Sequence, residues 1–366
     1  MIKVLHIFPA YKIGGAPINV LRFIKGSNQE VLNYSAGKVV DNSLYDDYCS
    51  NTSGSYNVDL TKFKLISFFK LVKIMRKIQP NIVHCNGKGG ALYGFLLRFF
   101  FKVDLYYTFR GFHLKYKGFK HNLYVKFETI FSKFYKKSIS VSSSEQKLFL
   151  ETIPINHNKN IIIPNGVSVQ RKELPAEIRE VCESHKYNII TLSRISHQKD
   201  IETLLSAIEG LNRPDVALHI MGGYLKGDLE YQKMIENKLS SLQSKSKVFL
   251  WGDVEAASDL LWNFDIYVSS ALFEGLPTAI IEAGLNQILI IGTDCVGNVD
   301  LIQDGVTGYL FPKKDVNLLI SKILFVLDEI DDKVRKEILK NNLKQMKAYS
   351  IQSHCAKILS LYNEKE

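Results

Sequence analysis

The run Asp265-Ile266-Tyr267-Val268-Ser269 leads, across four intervening residues, into Glu274-Gly275-Leu276-Pro277-Thr278 and then Ala279-Ile280-Ile281-Glu282-Ala283. A short apolar run bounded by a turn is the pattern of a buried strand. Gly275 and Pro277 shape a tight reversal, and the helix begins at Ala279. Strand, turn and helix in this order make half of a βαβ unit. The helix start leaves backbone N–H groups without intrahelical partners at the positive end of the dipole. Glu274 on the loop and Glu282 in the first helical turn bracket that start. Singly each has an ordinary explanation, a solvated loop carboxylate or a residue complementing the dipole. Together they suit a ligand carrying both a phosphate and sugar hydroxyls.

Working outward, the same alternation runs through both halves. Candidate strands are 3–8, 31–35, 82–85, 105–108, 138–141 and 161–163 in the first half. In the second they are 188–192, 217–221, 248–250, 266–269, 288–292 and 309–311, with amphipathic segments between. Alternating β and α elements predict parallel, doubly wound sheets. At 366 residues the chain exceeds what one hydrophobic core usually supports. Two Rossmann-like domains follow, over residues 1–170 and 171–348. The polar stretch Lys172-Glu173-Leu174-Pro175-Ala176-Glu177 is expected as linker, and 349–366 as a last helix packing back on the first domain. Two such domains facing each other would hold a ligand in the cleft between the carboxyl ends of their strands. No internal repeat or low-complexity tract interrupts the pattern.

Composition narrows the class. With 46% hydrophobic residues and a mean hydropathy of −0.03, the chain is that of an ordinary globular protein. No apolar run approaches the roughly 18–20 residues of a membrane span. The start, Met1-Ile2-Lys3-Val4-Leu5-His6-Ile7-Phe8-Pro9, suits a buried first strand and not a signal peptide. Five cysteines without CxxC spacing favour reduced thiols and no zinc site, and no residue group has metal-ligand spacing. The net charge of +10 is gathered in basic aromatic segments of the first half. In residues 61–80, Leu65, Phe68, Phe69, Val72 and Met75 recur at helical spacing, with Lys70, Lys73 and Lys77 on another face. Residues 94–102 and 124–137 repeat the theme. Each alone suits a core helix with solvated lysines. The three together point to an electrostatic contact with an anionic membrane surface. No nucleic-acid-binding module is present.

Two further turns carry chemistry. Gly14-Gly15 follows the first strand and precedes the helix 18–25, so backbone can approach a phosphate there. It is not a GxGxxG fingerprint, and no acidic residue for a ribose follows about twenty residues later, which disfavours a nicotinamide dehydrogenase. In the second half, Ser193-Arg194-Ile195-Ser196-His197-Gln198-Lys199 lies between a strand and the helix 201–211. A guanidinium clamps two phosphate oxygens and an ammonium adds a compact charge.

These motifs, in this order, resemble the retaining GT-B glycosyltransferases of group 1, or family 4. The two Glu separated by seven residues, with Gly and Pro after the first, are the most specific part. Ile82-Val83-His84-Cys85-Asn86-Gly87-Lys88-Gly89-Gly90 resembles a segment of the branch that builds capsular and exopolysaccharides. Pro164-Asn165-Gly166-Val167 resembles the family's turn before the second domain, and Trp251-Gly252-Asp253-Val254 a loop facing the nucleotide base. Val296-Gly297-Asn298, then Asp304-Gly305 and Gly308, resemble its tail, with Asp300 where Glu is usual.

The resemblance implies a hexosyltransferase-type enzyme that moves a sugar from a nucleotide-diphosphate donor to a hydroxyl. It implies retained anomeric configuration, no metal and no cofactor beyond the donor substrate. Arg194 and Lys199 would hold the diphosphate, Glu274 the sugar and Glu282 the ribose. Gly14, Gly15, Asn165, Gly252, Val254, Gly275, Leu276, Pro277 and Thr278 would complete the donor site. His84, Asn86 and His113 are acceptor-side candidates. One departure stands out: Arg110 occupies the place of a histidine that reaches the transferred sugar. Such a change alters sugar preference, replaces one electrophilic contact by another, or marks reduced activity. The implied acceptor is a saccharide, lipid-linked in that branch. This places the chain in the cytoplasm, peripheral to the inner face of the cell membrane. The alternatives are a non-catalytic GT-B partner subunit or a sugar-nucleotide epimerase.

Overall fold

The computed structural model describes residues 1–12, 15–27, 29–110, 119–225, 227–242 and 247–364. The chain divides into two compact units, Met1–Gly166 with Ser350–Glu366, and Val167–Tyr349. Each is a doubly wound parallel sheet with helices on both faces.

Unit 1 alternates β1 (Ile2–Tyr11), α1 (Gly15–Ser27), β2 (Val31–Val39), α2 (Asn42–Asn51), β3 (Gly54–Asn57), α3 (Leu65–Ile78), β4 (Ile82–Asn86) and α4 (Gly87–Leu97). It continues with β5 (Asp104–Thr108), α5 (Phe119–Phe134), β6 (Lys137–Ser140), α6 (Ser143–Thr152) and β7 (Asn160–Ile162). The seven strands lie in the order β3-β2-β1-β4-β5-β6-β7, all parallel. The largely apolar, buried runs of the central strands β1, β4 and β5 are what a sheet covered on both faces demands. Helices α3 to α6 cover one face around Leu71, Ile74, Met75, Tyr93, Leu97 and Phe149. The other face is covered by α1, α2 and α13 (Ile351–Asn363), through Phe23, Ile24, Tyr48, Ile358 and Tyr362. Ser350 caps α13 by accepting from the Ser353 N–H at 3.2 Å, so the chain re-enters unit 1 at a defined residue.

Unit 2 contains α7 (Ala176–Glu183), β8 (Tyr187–Leu192), α8 (Ile201–Leu211), β9 (Val216–Met221), α9 (Leu229–Ser241), β10 (Lys247–Gly252) and β11 (Ile266–Ser269). It closes with α10 (Thr278–Leu285), β12 (Leu289–Thr293), β13 (Tyr309–Phe311), α11 (Val316–Leu324) and α12 (Asp332–Met346). Its six parallel strands run β10-β9-β8-β11-β12-β13. The order reverses between β8 and β11, whose following loops therefore diverge and leave a crevice at the carboxyl ends.

Three expectations need correction. The short edge strand β3 pairs with β2 although Gly-Ser-Tyr-Asn carries no apolar run. Residues 172–177 are not a free linker but lie on unit 2. The Lys172 carbonyl accepts from the Trp262 indole at 2.8 Å, Leu174 is buried, and Ala176 opens α7. On α3 the core face is Ser67, Leu71, Ile74, Met75 and Ile78, whereas Leu65 and Phe69 point to solvent. A helix with apolar residues on most sides offers periodicity two solutions, and the sheet selected the other one.

Candidate functional site

In unit 2 the predicted residues gather at the switch between β8 and β11. Arg194 leaves β8 two residues past Leu192, and Lys199 ends a single 3₁₀ turn, His197–Lys199. That turn is tied to the loop after β11 by three hydrogen bonds. The Ser270 hydroxyl donates to the Lys199 carbonyl at 2.8 Å, the Gln198 amide to the Phe273 carbonyl at 2.9 Å, and the Leu272 N–H to the Gln198 carbonyl at 2.9 Å. Backbone thereby fixes the Lys199 side chain, whose Nζ forms an ion pair with Glu274 Oε1. Both side chains are largely sheltered, which strengthens a pair relative to a fully solvated one. Among the described residues Arg194 has no hydrogen-bonded or ion-pair partner.

Glu274 is positioned from behind as well. Its N–H donates to the Val296 carbonyl at 3.0 Å. Gly297 has φ 90°, and a Cβ built there would stand 2.8 Å from the Glu274 Cβ, so only glycine fits. The turn holding Gly297 is fastened by buried Asn298, whose amide donates to the Thr293 carbonyl at 3.0 Å and its hydroxyl at 3.1 Å.

Gly275, Leu276 and Pro277 close the reversal, and α10 starts at Thr278 with no side-chain cap on its first turn. Its free N–H groups thus remain available to a ligand. Glu282 is the fifth residue of α10 and not in its first turn, so dipole complementation does not account for it. It is 5% exposed. Tyr267 of β11 lies near both carboxylates: burial raises its phenol, and the charges of Glu274 and Glu282 raise it further.

The carboxyl ends of β9 and β10 complete the crevice. Gly252 (φ 65°) accepts from the Gly222 N–H at 2.7 Å, and the Gly223 N–H donates to Asp253 at 2.8 Å. Val254 follows, half-buried. Sequence reasoning missed Gly222-Gly223, although a glycine pair directly after an apolar run was the available signal. A Cβ on Gly222 would stand 2.2 Å from the Ser193 carbonyl oxygen beside Arg194.

The unit 1 candidates form a different environment. Arg110, just past β5, has φ 58° and turns its guanidinium inward. Its Nε and Nη2 donate to Asn86 Oδ1 at 3.1 and 3.0 Å, and its Nη1 donates to Asn165 Oδ1. Burial lowers its pKa to about 10. His84 is 3% exposed. Its ring nitrogens contact the Tyr362 hydroxyl at 2.5 Å and the Thr108 hydroxyl at 2.8 Å. It is a core residue rather than one on an open acceptor face, and buried Asn86 and Asn165 serve the Arg110 side chain. His6 and His354 line the same small cavity. Burial, with a smaller contribution from the Arg110 charge, lowers both to about 4. Burial holds His84 well below its ordinary value. Gly15 opens α1 with open space around it, while Gly14 and His113 lie outside the described residues.

Comparison with known proteins fits this geometry. The model of the group 1 glycosyl transferases matches residues 176–345 and that of glycosyltransferase family 4 matches residues 56–171. An Escherichia coli UDP-Gal:alpha-D-GlcNAc-diphosphoundecaprenol alpha-1,3-galactosyltransferase is 27% identical over 84% of this chain and 81% of its own. CapM of Staphylococcus aureus, a capsular polysaccharide biosynthesis glycosyltransferase, is 23% identical over 99% of this chain and 97% of its own. The crystal structure of HepE from Anabaena in complex with UDP and glucose has the same fold. Its TM-score is 0.86 over 99% of both chains, at 16% identity.

Proposed function

Because the chain belongs to the group 1 glycosyltransferases of the GT-B fold, we propose that it moves a hexose from a nucleotide-diphosphate sugar to a hydroxyl of a lipid-linked saccharide. The pathway is the building of bacterial surface polysaccharide, with anomeric configuration retained and no metal required. One observation carries this: Arg194, Lys199, Glu274 and the uncapped start of α10 converge at the strand-order switch of unit 2.

The chemistry asks for what these groups offer. Breaking the bond between the anomeric carbon and the phosphate oxygen sends its electron pair to the diphosphate. Fixed cations and helix N–H groups stabilise that charge without rearranging. Arg194 and Lys199 take this part, in place of a metal ion. Glu274 accepts hydrogen bonds from the sugar hydroxyls and Glu282 from the ribose. The acceptor hydroxyl attacks the face that the diphosphate leaves, and its proton passes to the departing phosphate oxygen. No protein nucleophile is needed.

The relatives named for lipid-diphosphate and capsule chemistry support a lipid-linked acceptor. Such an acceptor places the chain in the cytoplasm, peripheral to the inner face of the membrane. Among the described residues no helix is long and apolar enough to cross a membrane.

The test is transfer of labelled hexose from a panel of nucleotide sugars to a lipid-diphosphate saccharide, with and without a chelator. Proton coupling at the new anomeric centre reads out stereochemistry. A donor that supports transfer should also raise the melting temperature with its concentration. If no nucleotide sugar raises the melting temperature or is consumed, the proposal fails. An inverted product or a chelator-sensitive rate would remove the corresponding part.

A further inference from the structure

The helical face of unit 1 formed by α3, α4 and α5 carries large apolar side chains that its core does not use. On α3, Leu65, Ile66 and Phe69 are 65%, 72% and 65% exposed. Just past α4, Phe99 and Phe100 are 62% and 67% exposed. They are not scattered. Phe69 touches Phe68 (ring centroids 5.9 Å), and Phe68 touches Phe100 (5.5 Å). Phe99 packs on Phe95 (5.1 Å) and on Phe134 of α5 (5.5 Å). The half-buried rings join three helices, and their exposed members form one ridge. Contiguous exposed apolar surface of this kind marks an interaction site.

The charge around the ridge has a single sign. Residues 61–103 hold nine Lys or Arg and no Asp or Glu. Lys62, Lys70, Lys73, Arg98 and Lys102 are exposed. Protruding Leu, Ile and Phe within a rim of lysines is the composition of surfaces that lie in the interface of an anionic bilayer. We propose that this ridge is a membrane-insertion face, with Leu65, Ile66, Phe69, Phe99 and Phe100 below the headgroups and the lysines among the lipid phosphates. The exposed apolar side chains add a salt-insensitive part to the electrostatic contact that the sequence implies.

The location suits a lipid-linked acceptor, a reading this inference deepens. Residues 58–64, leading into α3, follow the carboxyl edge of the sheet. The Val58 N–H donates to the Gly37 carbonyl near the end of β2 at 2.8 Å, and the Lys64 N–H to the Tyr93 hydroxyl at 2.8 Å. The Leu60 carbonyl lies so near Gly89, at the start of α4, that a Cβ there would be 2.4 Å away. Insertion of Leu65 and Ile66, at the start of α3, therefore brings the carboxyl edge of unit 1 toward the headgroups.

The full chain is floated with phosphatidylcholine vesicles, with and without roughly a third of phosphatidylglycerol, at about 0.1 and about 0.5 M salt. Wild type should bind the anionic vesicles, weakening about tenfold at high salt yet still floating. Leu65→Ser/Ile66→Ser/Phe69→Ser should abolish the binding that survives high salt. Lys70→Glu/Lys73→Glu should lower binding at low salt by about fivefold or more per residue. Circular dichroism checks that both variants fold. Lys199→Ala should float as wild type does, so loss of sugar transfer and loss of docking are read separately. Failure of wild type to float overturns the proposal, as does a triple serine variant that binds like wild type. So does a lipid-free dimer, seen by light scattering, that the triple serine variant abolishes.

Discussion

Both units place a cation at the carboxyl edge of a parallel sheet, and they treat it in opposite ways. In unit 2, Lys199 is held by the Ser270 hydroxyl on its carbonyl and meets the carboxylate of Glu274, while Arg194 stays without a partner among the described residues. In unit 1, Arg110 turns inward to two amide oxygens, beside three histidines that burial keeps neutral. The first arrangement can exchange its partner for a ligand, because a phosphate offers the Lys199 ammonium another anion and sugar hydroxyls offer the Glu274 carboxylate new donors. The second cannot change without opening the core. One architecture thus yields a site ready for charge and a clasp that stiffens the edge.

The largest test of that contrast is acid. His6 and His354 titrate near 4 when folded, against 6.5 in the unfolded chain, and His84 lies well below its ordinary value. The unfolded chain therefore binds protons first as pH drops. Stability present above pH 6.5 is lost as pH falls toward 4, about 3 kcal/mol for each of His6 and His354. Unit 2 has one such histidine among its described residues, His219, lowered to about 4 by burial. Unit 1 should unfold first. Both tryptophans, Trp251 and Trp262, lie in unit 2. Circular dichroism should therefore change at higher pH than tryptophan fluorescence, and coincident curves would erase the distinction.

Next in size, Lys199→Ala should lower the transfer rate about 10²–10³-fold with the fold intact. Glu274→Gln should act through the same pair, so the double variant should fall well short of the product of the single effects. Full additivity in rate assays would show the two groups working apart. Gly297→Ala should destabilise unit 2 by about 1–3 kcal/mol in denaturant unfolding and raise the donor KM, because the new methyl collides with Glu274. Ser270→Ala removes one bond to the Lys199 carbonyl and should cost about 1 kcal/mol, or about fivefold in kcat/KM. Arg110→Met removes three hydrogen bonds to buried Asn86 and Asn165 and should destabilise unit 1 by about 1–3 kcal/mol at neutral pH. The smallest effect is in the pH dependence: without the charge, His6 and His354 should titrate slightly closer to their ordinary value, so less stability is lost between pH 6.5 and 4. An unchanged pH dependence would separate the arginine from the histidines.

What the chain's sequence disclosed follows the same division. Strands such as β11 and β13 were legible to the residue because a covered parallel strand is a compact apolar run. The group at the unit 2 switch was legible because each member follows a strand and carries its own turn chemistry. The role of Arg110 was not, because its partners come from the ends of β4 and of the segment after β7, brought together only by sheet order. The buried state of Glu282 needed the true start of α10, one residue before the expected one. The outward turn of Leu65 and Phe69 depended on which side of α3 the sheet would claim.

The return of α13 to unit 1 has a consequence for the order in which the protein is made. Tyr362 closes over His84, and the Tyr106 hydroxyl donates to the Leu361 carbonyl at 3.1 Å. A domain at the start of a chain ordinarily completes itself first as it leaves the ribosome. Here the first sheet must wait, one face covered only by α1 and α2, until residues near Leu361 and Tyr362 have been added. Unit 2, whose residues are continuous, is free to fold before it. During synthesis the nascent chain therefore carries a partly exposed apolar sheet face, and it is there that a chaperone would find it.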